Sequence, residues 1–156
     1  MTDRYLPAVG EYMTPSPCAV APQESLDRAR RLMRRHGVRH LPVMEDSKLV
    51  GILSDRDVGL LLSTRAEANV GYAMSSKPYT VHPDMPLNKV VRVMAERKYG
   101  SAVVVDRGAV AGIFTTNDAL STLADVLEGK HARASFNGMA SRPQRRRTRR
   151  VSRESH

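Results

Sequence analysis

Two short stretches carry the residue types that could do chemistry: "GILSDRD" (Gly51 to Asp57) and "GIFTTND" (Gly112 to Asp118). In each, a glycine and two apolar residues lead to a hydroxyl, Ser54 or Thr115, with a carboxylate three positions later, Asp57 or Asp118. A carboxylate next to a hydroxyl can accept hydrogen bonds from a polar ligand, and bonds to a charged acceptor are the stronger kind. A helix starting at the hydroxyl adds unpaired N–H groups and a partial positive charge that suit an anion. A plainer reading stands beside this one. Ser54 and Thr115 are N-caps, and Asp57 and Asp118 sit in first turns where a carboxylate complements the helix dipole. A cap and a ligand contact can coexist.

The two stretches are one stretch repeated. A shift of 61 residues lays 9–58 over 70–119 without a gap, and 13 of the 50 pairs are identical, against about three by chance. The identities include Val9/Val70, Gly10/Gly71, Met13/Met74, Pro22/Pro83, Met33/Met94, Gly51/Gly112 and Asp57/Asp118. Each copy has the same rhythm. A short extended run ("CAVAP", "YTVHP") ends at a proline, which favours extended geometry before it. A helix follows, with Leu26, Ala29 and Met33 on one face, or Leu87, Val90, Val91 and Met94; Pro86 suits its first turn. Two apolar strands separated by a polar turn come next ("RHLPVM" and "KLVGILS"; "SAVVVD" and "AVAGIFT"). A last helix starts near Asp55 or Thr116 and carries Val58, Leu61 and Leu62, or Leu120, Leu123 and Val126. The unit is β-α-β-β-α, its strands apolar enough to be buried on both faces. One such unit is marginal alone. Two packed sheet to sheet, sharing a core about a pseudo-two-fold axis, give an α/β (α+β) fold with units at 8–66 and 67–128.

Charge separates a third segment. Residues 130–156 hold nine Lys or Arg and one acid, whereas residues 1–129 hold 16 basic and 15 acidic side chains. The segment 129–156 ("RRRTRR" within it) is Arg- and Ser-rich without apolar periodicity and is expected to be disordered. A single cysteine, Cys18, excludes a disulfide framework and a cysteine-rich zinc site. No apolar run approaches the roughly 20 residues of a membrane span, and no secretory pattern opens the chain; the expectation is a cytoplasmic protein without membrane partners.

The residues "MTPSPCAVAP", "LMRRHGVRHLPV" and "GILSDRD" in the first copy, and "AMSSKPYTVHP" and "GIFTTND" in the second, resemble the cystathionine-β-synthase (CBS) domain in its tandem pair, the Bateman module. The resemblance covers roughly residues 8 to 127 and leaves the tail without a counterpart. It implies two clefts between the units that hold an adenine nucleotide (AMP, ADP or ATP) as a regulatory ligand, with no required cofactor. Asp57 and Asp118 would take the ribose, and Ser54 and Thr115 the phosphates. Thr115 and Asp118 would face the run Thr14, Pro17, Cys18 to Val20 and the stretch Val38 to Leu41. Ser54 and Asp57 would face Ser75, Lys77, Pro78, Tyr79 to Val81 and the stretch Tyr99, Ser101, Ala102. Arg39, His40 and Arg56 are the cations best placed for phosphate. Their counterparts are Gly100, Ser101 and Asn117, so the clefts should differ in phosphate preference.

Other features read more plainly. Met33 and Met94 are core. Arg28, Arg30, Arg31, Arg34 and Arg35 form a solvated helix face or a partner surface. Cys18 is small filler. His36 and His40 flank a helix end at Gly37, share no face and have no carboxylate to complete a metal set. No nucleophile–base pair, phosphate loop or paired carboxylates suggest catalysis. The leading expectation is a non-catalytic module that senses adenosyl nucleotides and passes occupancy to a regulated partner through inter-unit or dimer geometry. The alternative is a ligand-free scaffold that forms homodimers through Leu60 to Leu62 and Leu120 to Val126. In that alternative the basic tail would contact nucleic acid or an acidic partner.

Overall fold

The computed structural model describes residues 6–65 and 67–130. Two compact units divide the chain, one ending at Leu123 and one beginning at Ala124. The expectations for the basic tail fall almost wholly outside the described residues.

The second repeat forms every expected element; in the first, the extended run "CAVAP" is reduced to an isolated parallel bridge of Val20 to Val43, and the sheet is the hairpin alone. In the first, α1 (Leu26–His36) starts at Ser25, whose hydroxyl accepts from the Arg28 N–H at 3.2 Å, and stops at Gly37 in the left-handed region, φ 64°. Its stripe Leu26, Ala29 and Met33 is buried, as apolar spacing at helical period requires. The hairpin β2 (His40–Glu45) and β3 (Lys48–Ser54) follows, turning through Asp46 and Ser47, both at positive φ. Pro42 turns its carbonyl to the Val20 N–H, 3.1 Å away. Its missing N–H therefore falls on the side away from β3 and costs the hairpin no ladder bond. Helix α2 (Asp55–Thr64) closes the repeat. After a one-turn helix α3 (Val70–Ala73), the second repeat gives β4 (Thr80–Val81), α4 (Leu87–Arg97), β5 (Ser101–Asp106), β6 (Ala109–Thr115) and α5 (Thr116–Leu127). Pro86 sits at the N-cap of α4, one position ahead of its first turn.

The lead segments of the two repeats are exchanged. A two-residue strand β1 (Thr14–Pro15) pairs not with its own repeat but with β6 of the second, giving the sheet order β1-β6-β5-β4. Reciprocally, Ser75 of the second repeat bridges Ile52 in β3, with N–H to carbonyl bonds of 3.0 and 2.9 Å in the two directions. The same reciprocity runs outward. Gly10 N–H donates to the Pro83 carbonyl and Gly71 N–H to the Pro22 carbonyl, at 2.9 and 2.8 Å. Packing follows. Val70 is buried in the first repeat's core with Leu26, Met33, Leu41, Val43 and Leu53, and Val9 in the second repeat's core with Leu87, Val90, Met94 and Phe114. Two cores thus form where the repeat pattern predicts one shared core. Each is completed by the other repeat's lead segment, which holds both repeats in one unit through Leu123, while β3 and β6 run against each other.

The last helices keep much of their apolar surface outside the two cores. Helix α2 buries only Val58, with Leu61 and Leu62 partly covered by the first core, and α5 buries none of its side chains. Leu60, Leu120 and Leu123 are 69%, 61% and 51% exposed.

Candidate functional site

Each hydroxyl–carboxylate pair sits where the second hairpin strand of its repeat runs into a helix. Ser54 ends β3 and caps α2. Its hydroxyl accepts from the Asp57 N–H at 3.1 Å and donates to Asp57 Oδ2 at 2.5 Å. Thr115 does the same at the end of β6, accepting from the Asp118 N–H at 3.3 Å and donating to Oδ2 at 2.8 Å; its own N–H donates to that oxygen at 2.7 Å. The capping reading is therefore realised in both repeats. It occupies only one oxygen of each carboxylate, and among the described residues Oδ1 of Asp57 and of Asp118 accepts no hydrogen bond. Both carboxylates are half-buried.

The carbonyl preceding each hairpin also caps the helix. Arg39 C=O accepts from the Asp55 N–H at 2.8 Å, and Gly100 C=O from the Thr116 N–H and hydroxyl at 3.0 and 3.1 Å. This brings Arg39 and His40 beside Ser54, Asp55 and Arg56, and the five residues line a hollow of about 270 Å³. His40 and Ser54 are directly paired across β2 and β3. Burial holds the His40 imidazole below the usual histidine range; Asp57 opposes this, Arg39 reinforces it and Asp55 opposes it more weakly. The imidazole also reaches the other repeat, since a Cβ added to Gly100 would lie 2.7 Å from Nε2.

The remaining candidates divide by burial. Thr14 and Ser75 lie on exchanged segments beside the strands that end in Thr115 and Ser54. Pro17, Cys18, Val38 and Pro78 are half-buried, and Lys77 is exposed. Val20, Val81, Leu41, Ala102 and Ser101 are buried in the fold, and their backbones are paired with neighbouring strands. Tyr79 and Tyr99 stack with ring centroids 5.4 Å apart. Burial, then Tyr99, raises the Tyr79 phenol above its usual range. The sequence reading gave no role to Asp55, a wall of the hollow, or to Gly100, the seat of His40. The only sequence signal for Gly100 was the loss of a side chain opposite Arg39 in the repeat register. Among the described residues no group of His, Cys, Asp and Glu could hold a metal ion, and no helix is long and apolar enough to cross a membrane.

The family model of the CBS domain matches residues 9–60 and again 69–125, one copy on each repeat. The chain belongs to the CBS domain family. Its pair of domains is 37% identical over 100 residues to an inosine-5'-monophosphate dehydrogenase of Korarchaeum cryptofilum, covering 64% of this chain and 21% of that one. It is 29% identical over 114 residues to the CBS domain-containing protein YhcV of Bacillus subtilis, covering 71% and 81%. The pair therefore spans about a fifth of the first relative and most of the second. Among solved structures, the CBS domain pair of protein MJ0100 in complex with 5'-methylthioadenosine and S-adenosyl-L-methionine superposes with a TM-score of 0.71 at 25% identity, covering 81% of this chain and 99% of that one. CBSX2 of Arabidopsis thaliana in complex with AMP gives 0.66 at 30% identity, covering 78% and 98%.

Proposed function

We propose that this CBS pair, with units at 8–66 and 67–128, is a non-catalytic regulatory module of the cytoplasm that binds adenosyl ligands and passes their occupancy to a partner. One observation carries the reading. At repeat-related positions a half-buried carboxylate, Asp57 or Asp118, has one oxygen that accepts no hydrogen bond among the described residues, just past the end of a strand to which the opposite repeat's exchanged segment pairs. A ribose diol placed there bonds the free oxygen, the helix start faces the phosphates, and Arg39 and Arg56 stand at the first of the two sites. The adenosine-based ligands of MJ0100 and CBSX2 support the same ligand class. Because the exchanged segments tie the repeats together, a ligand that favours one arrangement of them shifts that equilibrium by its differential affinity. Calorimetric titration with AMP, ADP, ATP and S-adenosylmethionine tests the reading. Binding in the wild type that is lost in Asp57→Ala/Asp118→Ala is expected, and identical titrations of the two proteins refute it.

The exposure of Leu60, Leu120 and Leu123 favours a second reading, a ligand-free scaffold that forms a homodimer through the helices. A dimer in analytical ultracentrifugation that Leu60→Glu/Leu123→Glu converts to monomer, with no thermal shift from any nucleotide, is its signature.

A further inference from the structure

The hollow of the first repeat has no charged counterpart in the second: Arg39, His40 and Arg56 correspond to Gly100, Ser101 and Asn117. Yet His40 belongs to both halves. Its Nε2 fills the space a side chain at position 100 would take, so the glycine there is what leaves room for the imidazole. The same Gly100 presents its carbonyl to the N–H and hydroxyl of Thr116 at the start of α5. The imidazole thus runs from the wall of the hollow to the backbone that caps the second repeat's last helix.

Its electrical surroundings are specific. Asp57 and Asp55 face it from α2 and Arg39 from the position just before β2, while the second repeat meets it with the backbone at Gly100. Neither Arg39 nor Arg56 is in an ion pair among the described residues. The two guanidiniums and the Asp55 carboxylate leave the lining with one net positive charge while His40 is neutral. Proton binding to His40 raises that to two. Burial keeps the empty-site imidazole neutral near physiological pH.

We propose that the hollow takes the phosphate end of a ligand together with a proton on His40, so that the first-repeat site selects phosphate-bearing ligands and the second-repeat site binds without proton uptake. This rests on the adenosyl-ligand reading above and adds which site takes phosphate and how. A phosphate dianion among Arg39, Arg56 and the α2 N-terminus stabilises the imidazolium and offsets its burial. The proton comes from solvent, and no covalent bond changes. Linkage of one proton makes affinity fall as pH rises, by at most about tenfold per pH unit, between the imidazole's midpoints in the free and bound states. Phosphate monoesters themselves titrate near pH ~6, so the diagnostic quantity is the difference between proteins with and without His40.

The test is calorimetry of the full chain with ATP, and with adenosine as the phosphate-free arm, near neutral pH in buffers of different ionisation enthalpy. Wild type is compared with His40→Gln, which keeps size and polarity but cannot titrate. The expected result is a larger proton uptake per bound ATP in wild type than in the variant, by a substantial fraction of one proton, and no difference with adenosine. Equal proton counts for ATP overturn the proposal and leave the adenosyl-ligand reading standing. No binding of ATP or adenosine by wild type overturns both. A second measurement does not depend on the variant folding well: the His40 ring C–H resonance of wild type, titrated with and without ATP. Its midpoint is expected below the usual histidine value without ATP and higher with it, and a midpoint that ATP leaves unmoved overturns the proposal.

Discussion

Replacing Gly51 by alanine tests the exchange of lead segments most directly. The added Cβ would lie 2.7 Å from Met74 Sδ and 2.7 Å from the Ser75 carbonyl oxygen. The methionine tip can swing away. The carbonyl cannot, because it accepts from the Ile52 N–H at 3.0 Å while the Ser75 N–H returns a bond of 2.9 Å to Ile52. Relief therefore means overpacking, which costs about 1–3 kcal/mol, or opening one or both hydrogen bonds at about 1 kcal/mol each. Gly51 does not need a positive φ, so alanine recovers about 0.4–1 kcal/mol through the unfolded chain. The net expectation is a loss of roughly 1–2 kcal/mol in urea unfolding. Gly59→Ala is the control. That position on α2 has nothing within 4 Å of an added Cβ, so helix propensity alone should stabilise by about 0.5–1 kcal/mol. A Gly51→Ala protein whose urea midpoint matches wild type or Gly59→Ala would refute the account of the exchanged segment as tightly seated.

Three other substitutions probe the site and its supports. Asp118→Ala removes the acceptor of two hydrogen bonds from Thr115 and a first-turn carboxylate, and should lower urea stability by about 1–2 kcal/mol before any effect on ligand. His40 has a lowered pKa in the fold, so below its ordinary value the unfolded chain binds more protons; stability should fall as pH drops below about 6.5, and His40→Gln should remove that component when stability is followed against pH. Lys98 caps α4 at φ 58°, where the matching residue of α1 is Gly37. Lys98→Gly should therefore stabilise by up to about 1 kcal/mol in thermal or urea unfolding.

The local elements were legible because each has a local cause. The stripes of α1 and α4 follow from apolar spacing, the stop of α1 from Gly37, and the starts of α2 and α5 from Ser54 and Thr115. The hydroxyl–carboxylate pairs could be located for the same reason, since a cap and its first-turn acid lie within one turn of chain. The repeat register also exposed the charge difference between the two halves. It did not reveal what the identities Val9/Val70, Gly10/Gly71 and Met13/Met74 are for. Those residues pack against the opposite repeat, and a period of 61 residues carries no information about which copy a segment joins.

By itself the sequence determined the duplicated β-α-β-β-α unit, the two capping carboxylates and the concentration of positive charge in the first repeat's site, because all three depend on residue type and short spacing. Only the tertiary structure decided that the lead segments cross over, that two cores form in place of one, and that His40 rests on Gly100. Each of these is a contact between residues distant in the chain, selected by complementary packing: a glycine where another backbone or ring must approach, and a buried valine where the other repeat's core has space.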